Sequence, residues 1–412
     1  MKIAVIGSGI SGLSAAYYLS KNHKVDLFEK NNHFGGHSHT VEIKKNGEVT
    51  PVDIGFIVFN ELTYGNLIKF FKELEVDYEP SNMSFAVSIS NTSIEYSGSG
   101  LKGLFVNKTN LFNIKFLRMI FEIISFYKKV SKNFNEASQK LTLDEYLKKN
   151  NFSNFFINYH IIPMVAAIWS MPFEKAKKIP FKLFVDFFSN HGLFKLKKRP
   201  QWYTVTNRSR TYVNKVLEKI SGEVYKNYDV KKILRNKNNI RIFIGPENEY
   251  LDYDKVIIAC HADEALKLIN PSKEEQSLLS EFKYVVNEAY LHTDQNLMPK
   301  NFKAWSSWNS ISFKDTSSSC VTYWLNKLQN LKTNENYFLT LNPIKEINKD
   351  KIIKKVKFSH PSFNHKTSIK QKELSKLQGK QNTWYCGSYF GYGFHEDGLK
   401  SSLNLLKHFK IK

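Results

Sequence analysis

A chain of 412 residues, 42% of them hydrophobic, has room for two domains that share one interface. Its three cysteines, Cys260, Cys320 and Cys386, are too few and too scattered for a disulfide framework or a thiolate metal site, so a reducing compartment and no metal are expected. The formal charge of +22 admits an anionic partner, or equally an A·T-rich coding bias written in lysine over a neutral surface. With no interleaved Arg-aromatic pattern and no known binding module, nucleic acid is excluded as the expected partner.

The opening stretch, "MKIAVIGSGISGLSAAYYL", reads as strand, turn and helix. Ile3 to Ile6 suits a strand buried on both faces, and Leu13 to Leu19 has the spacing of a helix packed on a sheet. Between them Gly7, Gly9 and Gly12 divide three tasks: a tight turn, room for a pyrophosphate, and close helix-to-strand packing. The free N–H groups and positive dipole end of the helix then stabilise phosphate without a lysine. A second strand, Val25 to Glu29, ends on an acid placed to bind a ribose hydroxyl. An adenine dinucleotide is therefore expected here. No apolar run reaches the length of a bilayer span and the first strand begins directly after Met1, so a cytoplasmic protein is expected.

Further along, Leu111 to Val130 reads as a helix with a wide apolar face and a polar stripe at Lys115, Arg118, Glu122, Ser125 and Lys129, flanked by Lys102, Lys108, Lys128 and Lys132. Such a helix suits either an anionic bilayer interface or the core of an insert. Phe187 to Trp202 interleaves apolar and basic residues in the same way. Aromatics at Trp169, Trp202, Tyr203, Trp305, Trp308, Tyr323 and Trp324 either line a long tunnel or fill a core. Short strands and turns return from Gly222 to Cys260, and the chain closes on "NTWYCGSYFGYGFHEDGLKSSLNLLKHF", a strand, two glycine-rich turns and a helix.

This layout resembles the flavin-containing amine oxidase and phytoene desaturase-like FAD superfamily, through "GSGISGLSAAYYL", "FGGHSHTV", "VDIGFIVFN", "RPQWYTV" and "GFHEDGL". Within it the chain is similar to a bacterial branch associated with cyclopropane fatty acid synthase-type lipid methyltransferases, and to the N-terminal part of plant cyclopropane synthases. The resemblance implies an α/β fold, α+β overall: a Rossmann-like FAD-binding domain of glutathione reductase type over residues 1–61, 205–265 and 380–412. A discontinuous α+β substrate domain over 62–204 and 266–379 would carry the docking helix 111–130. It implies noncovalent FAD held by Gly7, Gly9, Ser11, Gly12 and Glu29, then by Gly36 and His37, where many relatives carry Gly-Gly-Arg. Gly55 and Phe56 would approach the flavin face, and Val230 would present main chain to adenine. Gly387, Ser388, Gly393, Phe394, His395, Glu396 and Asp397 would bring a second helix start to the pyrimidine edge of the ring, which a simple NAD enzyme does not need.

For chemistry the candidates are His292, then His395, with Glu61 and Tyr64 behind them; since most histidines are not catalytic, a satisfied structural residue is the more ordinary reading of either. The expected reaction removes an allylic hydride from an unsaturated or methyl-branched phospholipid acyl chain, giving a further or conjugated double bond. Double-bond isomerisation, amine oxidation, or a non-catalytic flavoprotein partnered with a lipid methyltransferase are the alternatives. The expected partners are the phospholipid acyl chain and an anionic membrane surface, with the protein peripheral on the inner face.

Overall fold

The computed structural model describes residues 1–130, 138, 140–169, 171–195, 199–237, 239–245, 249–313 and 319–409. At its centre is a five-stranded parallel sheet in the order Val224–Lys226, Lys24–Glu29, Lys2–Ile6, Lys255–Ile258, Thr383–Tyr385. Ile3, Val5, Val25, Leu27, Val256 and Ile257 are wholly buried, as strands covered on both faces require. One face carries the helix Ile10–Ser20 and the closing helix His395–Leu406, and the other faces a three-stranded antiparallel sheet, Val230–Arg235, Ile240–Ile244 and Glu249–Tyr253.

The second layer is a mixed seven-stranded sheet in the order Ile352–Ser362, Lys283–His292, Phe338–Leu341, Ser319–Trp324, Trp308–Phe313, Phe85–Ser90, Glu95–Ser97. Only its Trp308–Phe313 and Phe85–Ser90 neighbours run parallel. A cap of helices from Gly100–Leu104 and Ile114–Val130 to Leu143–Lys149 and Phe181–Asn190 packs on it through a core rich in phenylalanine, including Phe116, Phe126, Phe156, Phe181 and Phe184. The parallel sheet and this sheet exchange the chain several times, so both units are discontinuous.

The hydrophobic cores draw the boundaries later than the expected residue 61. Leu67, Phe70 and Phe71 of the helix Gly65–Glu73 bury with Ile3, Val5 and Leu13 of the nucleotide unit. Likewise Leu278 and Leu279 of the helix Lys273–Leu279 bury with Ala4 and Val256. Sequence composition does not distinguish an apolar helix face that packs on one sheet from one that packs on the other.

Candidate functional site

One cavity of about 1460 Å³ runs from the glycine turn to the helical cap. At its nucleotide end, Gly7 takes φ +100°, and a Cβ on Gly12 would stand 1.8 Å from the Gly7 carbonyl oxygen, so only glycine lets the helix approach the strand this closely. Gly12 therefore lies behind the wall, while Gly7, Gly9 and Ser11 form it. Gly9 is different: a Cβ there meets nothing within 4 Å. The space it faces is cavity, and the helix Ile10–Ser20 has no side-chain cap on its first N–H groups. Bare N–H groups facing open space suit a phosphate.

Gly36, at φ +58°, brings the next loop against the Cα of Gly9, and His37 follows on the same wall. The Nε2 atom of His37 is buried without a hydrogen-bond partner. Desolvation and the neighbouring His360, His261 and His395 hold its pKa well below the usual histidine range, so the ring is a neutral polar group rather than a substitute cation. An unpartnered polar atom beside uncapped N–H groups fits a pyrophosphate-bearing ligand.

Glu29 lines the cavity but is already engaged. Ser8 donates to one carboxylate oxygen through its N–H (3.0 Å) and hydroxyl (2.6 Å), and Asn31 donates to the other through its N–H (2.9 Å) and Nδ2 (2.7 Å). The acid thus ties the glycine turn to the end of the second strand. Val230 borders the same end, its side chain buried with Phe28 and Ile233.

Gly55 is explained by the chain itself. A Cβ there would stand 2.2 Å from the His37 carbonyl oxygen, to which the Phe56 N–H donates at 2.7 Å. Glycine here docks one backbone against another, and Gly55 with Phe56 also lines the cavity. Buried Asp53 anchors this loop, accepting from Thr40 Oγ1 (2.6 Å) and from the Ser209 N–H (2.8 Å) and hydroxyl (2.7 Å). Burial nevertheless raises its pKa to about 6.

The closing helix begins against the first one. A Cβ on Gly398 would stand 2.7 Å from Ser11 Oγ, and Ser14 and Ser402 share a 2.6 Å hydrogen bond one turn further on. Two positive helix ends therefore meet at one wall, to which Gly387, Ser388, Gly393, Phe394 and His395 also contribute. Glu396 and Asp397 do not reach it. Glu396 caps the helix Gly65–Glu73, accepting from the N–H groups of Asn66 (3.0 Å) and Leu67 (2.9 Å). Asp397 caps its own helix through the Phe394 N–H (2.9 Å) and sits against Gly391, where burial lifts its pKa to about 7. Both are corrected from cofactor contacts to caps, since a carboxylate is stabilised by the same helix N-termini that would bind a ligand.

The two catalytic candidates part company. His292 is wholly buried in the seven-stranded sheet, off the cavity. Its Nδ1 accepts the Asp294 N–H (3.1 Å), which leaves the proton on Nε2 for Thr340 Oγ1 (2.8 Å). With both nitrogens used and the pKa lowered to about 4 by burial, it orders a strand end, and the catalytic expectation for it is corrected. His395 does stand on the cavity wall. Its ring stacks on Phe56 at 3.7 Å, and its Nε2 lies 2.9 Å from Ser38 Oγ and 3.3 Å from the Tyr212 hydroxyl. Burial lowers its pKa to about 3, so the imidazole is neutral. Tyr64 is buried on the wall; Glu61 is exposed and off it.

At the cap end the cavity lining becomes an apolar chamber. Ile120, Ile123, Ile124, Met164, Ile168 and Trp169 line it, with Trp202, Trp308 and Tyr323. Trp305 and Trp324 instead pack on each other and Phe338, and Tyr203 on Phe59 and Tyr78, away from the chamber. His160, Tyr96 and Tyr127, which no sequence signal marked, also face it. His160, on a π turn, lies 3.0 Å by Nδ1 from the Tyr96 hydroxyl and 3.3 Å by Nε2 from that of Tyr127. His360 was equally silent: it sits on an edge strand, its Nδ1 accepting from Asn287 Nδ2 (2.8 Å), and reaches the cavity only because Ile352–Ser362 borders the nucleotide unit.

The expected polar stripe of the helix Ile114–Val130 is broken by Glu122, which is buried, pairs with Arg118 and accepts the Ser153 N–H and hydroxyl. In the segment 187–202, Phe187, Phe188 and His191 face the core rather than a membrane; residues 196–198, like Lys132 and 410–412, lie outside the described residues.

Residues 5–74 match the family model of the NAD(P)-binding Rossmann-like domain. A 48-residue stretch is 52% identical to 4,4'-diapophytoene desaturase (4,4'-diaponeurosporene-forming) of Staphylococcus aureus, covering 11% of this chain and 9% of that one. The match thus spans about a tenth of the length of these curated relatives. Across almost the whole chain the fold is shared with a CLA-producing fatty acid isomerase from P. acnes, at TM-score 0.69 and 14% identity over 99% of this chain and 98% of that one. Cyclohexylamine oxidase from Brevibacterium oxydans superposes at TM-score 0.66 with 12% identity over 99% of each chain, and putrescine oxidase at 0.67 with 12% identity over all of both. The fold is a mixed α/β architecture with a Rossmann-like dinucleotide-binding domain.

Proposed function

We propose that the chain is an FAD-dependent oxidoreductase that removes an allylic hydride from an unsaturated or methyl-branched phospholipid acyl chain, leaving a further or conjugated double bond. The methyl-branched substrate follows from the sequence resemblance to the branch associated with cyclopropane synthase-type methyltransferases. The observation that carries the acyl-chain reading is the distribution of charge along the cavity. Its lining carboxylates, Glu29, Asp229 and Glu264, all belong to the nucleotide unit, and among the described residues none lines the apolar chamber. A cationic amine would be desolvated there against isoleucine and methionine without a counter-charge, whereas a hydrocarbon chain is favoured at about 25 cal/mol per Å² removed from water.

The uncapped N–H groups at Ile10 and the start of the closing helix, with His37, would hold FAD noncovalently. When bound, FAD supplies a two-electron acceptor for the hydride. Phe56, Val58 and Trp169 exclude water from the chamber. The second hydrogen leaves as a proton. Beside an electron-deficient allylic carbon that proton is strongly acidic, so the neutral imidazole of His395 suffices to take it even with a pKa lowered to about 3.

The test is anaerobic mixing of the FAD-loaded protein with phospholipids carrying unsaturated or methyl-branched chains, followed by mass analysis of the lipid. Bleaching of the flavin with loss of two hydrogens is expected. A shifted double bond at unchanged mass would replace desaturation by isomerisation, and bleaching by an amine but by no lipid would overturn the acyl-chain reading.

A further inference from the structure

The segment 98–121 forms one wall of the cavity and shows its other side to solvent. Gly100 and Leu104 line the cavity, as do Ile120, Ile123 and Ile124 of the helix Ile114–Val130. Phe116, Met119 and Phe126 of the same helix enter the core of the cap. A third face remains, and it is apolar. Phe112 is 87% exposed, Ile114 81%, Leu101 75% and Phe121 71%; no other large hydrophobic among the described residues is as exposed as these four. Leu111 and Leu117 extend the same strip. Single exposed apolar side chains are ordinary, but a run of this kind on one short segment marks a contact surface.

The charges around the strip select its partner. Residues 98–121 contain Lys102, Lys108, Lys115 and Arg118 and no aspartate or glutamate. All four cations are exposed, and Arg118 is paired with the buried Glu122 just beyond the strip, so the three lysines carry its charge. Large apolar side chains rimmed by cations of one sign match the anionic headgroups and acyl boundary of a bilayer. No helix among the described residues is long and apolar enough to cross a membrane, so contact through this helix would be made from one side. We propose that the outward face of residues 101–121 docks the protein on an anionic lipid bilayer, and that docking lays the cavity's insert wall against the membrane. Burying the strip in lipid removes it from water, while the lysines stay at headgroup level. Because the adjacent face of the same helix is cavity wall, an acyl chain leaving the bilayer has only the width of this segment to pass.

The proposal is independent of the redox reading, because docking is measured without turnover. FAD-loaded protein is sedimented with vesicles of phosphatidylcholine containing about 30% phosphatidylglycerol. The protein is expected in the pellet with these vesicles, in the supernatant with phosphatidylcholine alone, and progressively released by salt. The double variant Phe112→Ser/Phe121→Ser should partition about 100-fold less well, with flavin content and melting temperature unchanged because both rings are exposed. The exposed Val49→Ser, on the hairpin Thr40–Lys45 and Glu48–Asp53, should bind as the parent does. The pair Lys102→Glu/Lys115→Glu gives a second measurement, with binding lost through charge alone. Parent protein left in the supernatant, a double variant that sediments like the parent, or a homodimer that the double variant abolishes in place of vesicle binding would each overturn the proposal.

Discussion

At the nucleotide end of the cavity the wall is mostly backbone: glycines at 7, 9 and 36, two helix starts, and a carboxylate that serves the loop rather than the solvent. At the cap end the wall is side chain, with Ile120, Ile123, Met164 and Trp169 around one satisfied Tyr96–His160–Tyr127 cluster. The first kind of wall recognises a ligand by N–H direction and by the space a missing Cβ leaves. The second recognises it by length and by the absence of a carboxylate, the charge near its His160 and Tyr127 being the cation Arg199. Ligand specificity at the two ends therefore answers to different substitutions, and variants can separate them.

The largest effect is expected from a pair of glycine variants. Gly12→Ala drives its Cβ into the Gly7 carbonyl and should prevent stable folding. Gly9→Ala meets no protein atom, so the apoprotein should fold and melt as the parent does, while FAD affinity falls about 100-fold because the methyl occupies ligand space. Equilibrium flavin titration with thermal melting separates the two. Equal loss of folding in both would contradict the assignment of the open space to a ligand.

The second effect concerns pH and involves both ends. Burial lowers the pKa of His39, His160 and His395 to about 3 and of His191, His292 and His360 to about 4. Each is neutral when folded and binds a proton near pH 6.5 when unfolded, so stability is complete above that value and is lost as pH falls toward 4. Asp53 and Asp397, raised to about 6 and about 7, act in the opposite sense, since their folded forms bind protons more readily. Six histidines outweigh two carboxyls. The melting temperature should drop by about 5 °C or more between pH 7 and 5.5; a flat profile would mean that these imidazoles are solvated.

How much of this was legible in the sequence follows the same division. The glycine turn, the acid-ended strand and the closing glycine motif are local patterns, and their residues do converge on one wall. Glu396 and Asp397 were misread because the cap of a helix and the ligand of a helix obey the same electrostatics. Only their partners Asn66, Leu67 and Phe394 distinguish the two. The chamber was barely legible. Its walls come from residues far apart in the chain, so Trp308 and Trp305, three positions apart, end respectively at the cavity and in a separate core. His160 and His360 carry no local signal.

A smaller effect tests the corrected caps. Glu396→Ala should cost about 1–2 kcal/mol through the uncapped helix Gly65–Glu73, read by chemical denaturation, with flavin affinity changed less than about threefold. A much larger loss of flavin would return Glu396 to the cofactor. The smallest effect on catalysis is expected at His292: His292→Gln should leave turnover per bound flavin within about twofold of the parent although the sheet is weakened. His395→Asn, on the wall, should slow it measurably.

The central claim is that two adjoining helix starts hold one flavin dinucleotide. Release of bound flavin from the purified chain by denaturation, with chromatographic identification and quantitation against protein, tests it most directly. One equivalent of noncovalent FAD per chain is the predicted result. A colourless native protein that takes up no FAD when it is supplied in excess would contradict the account.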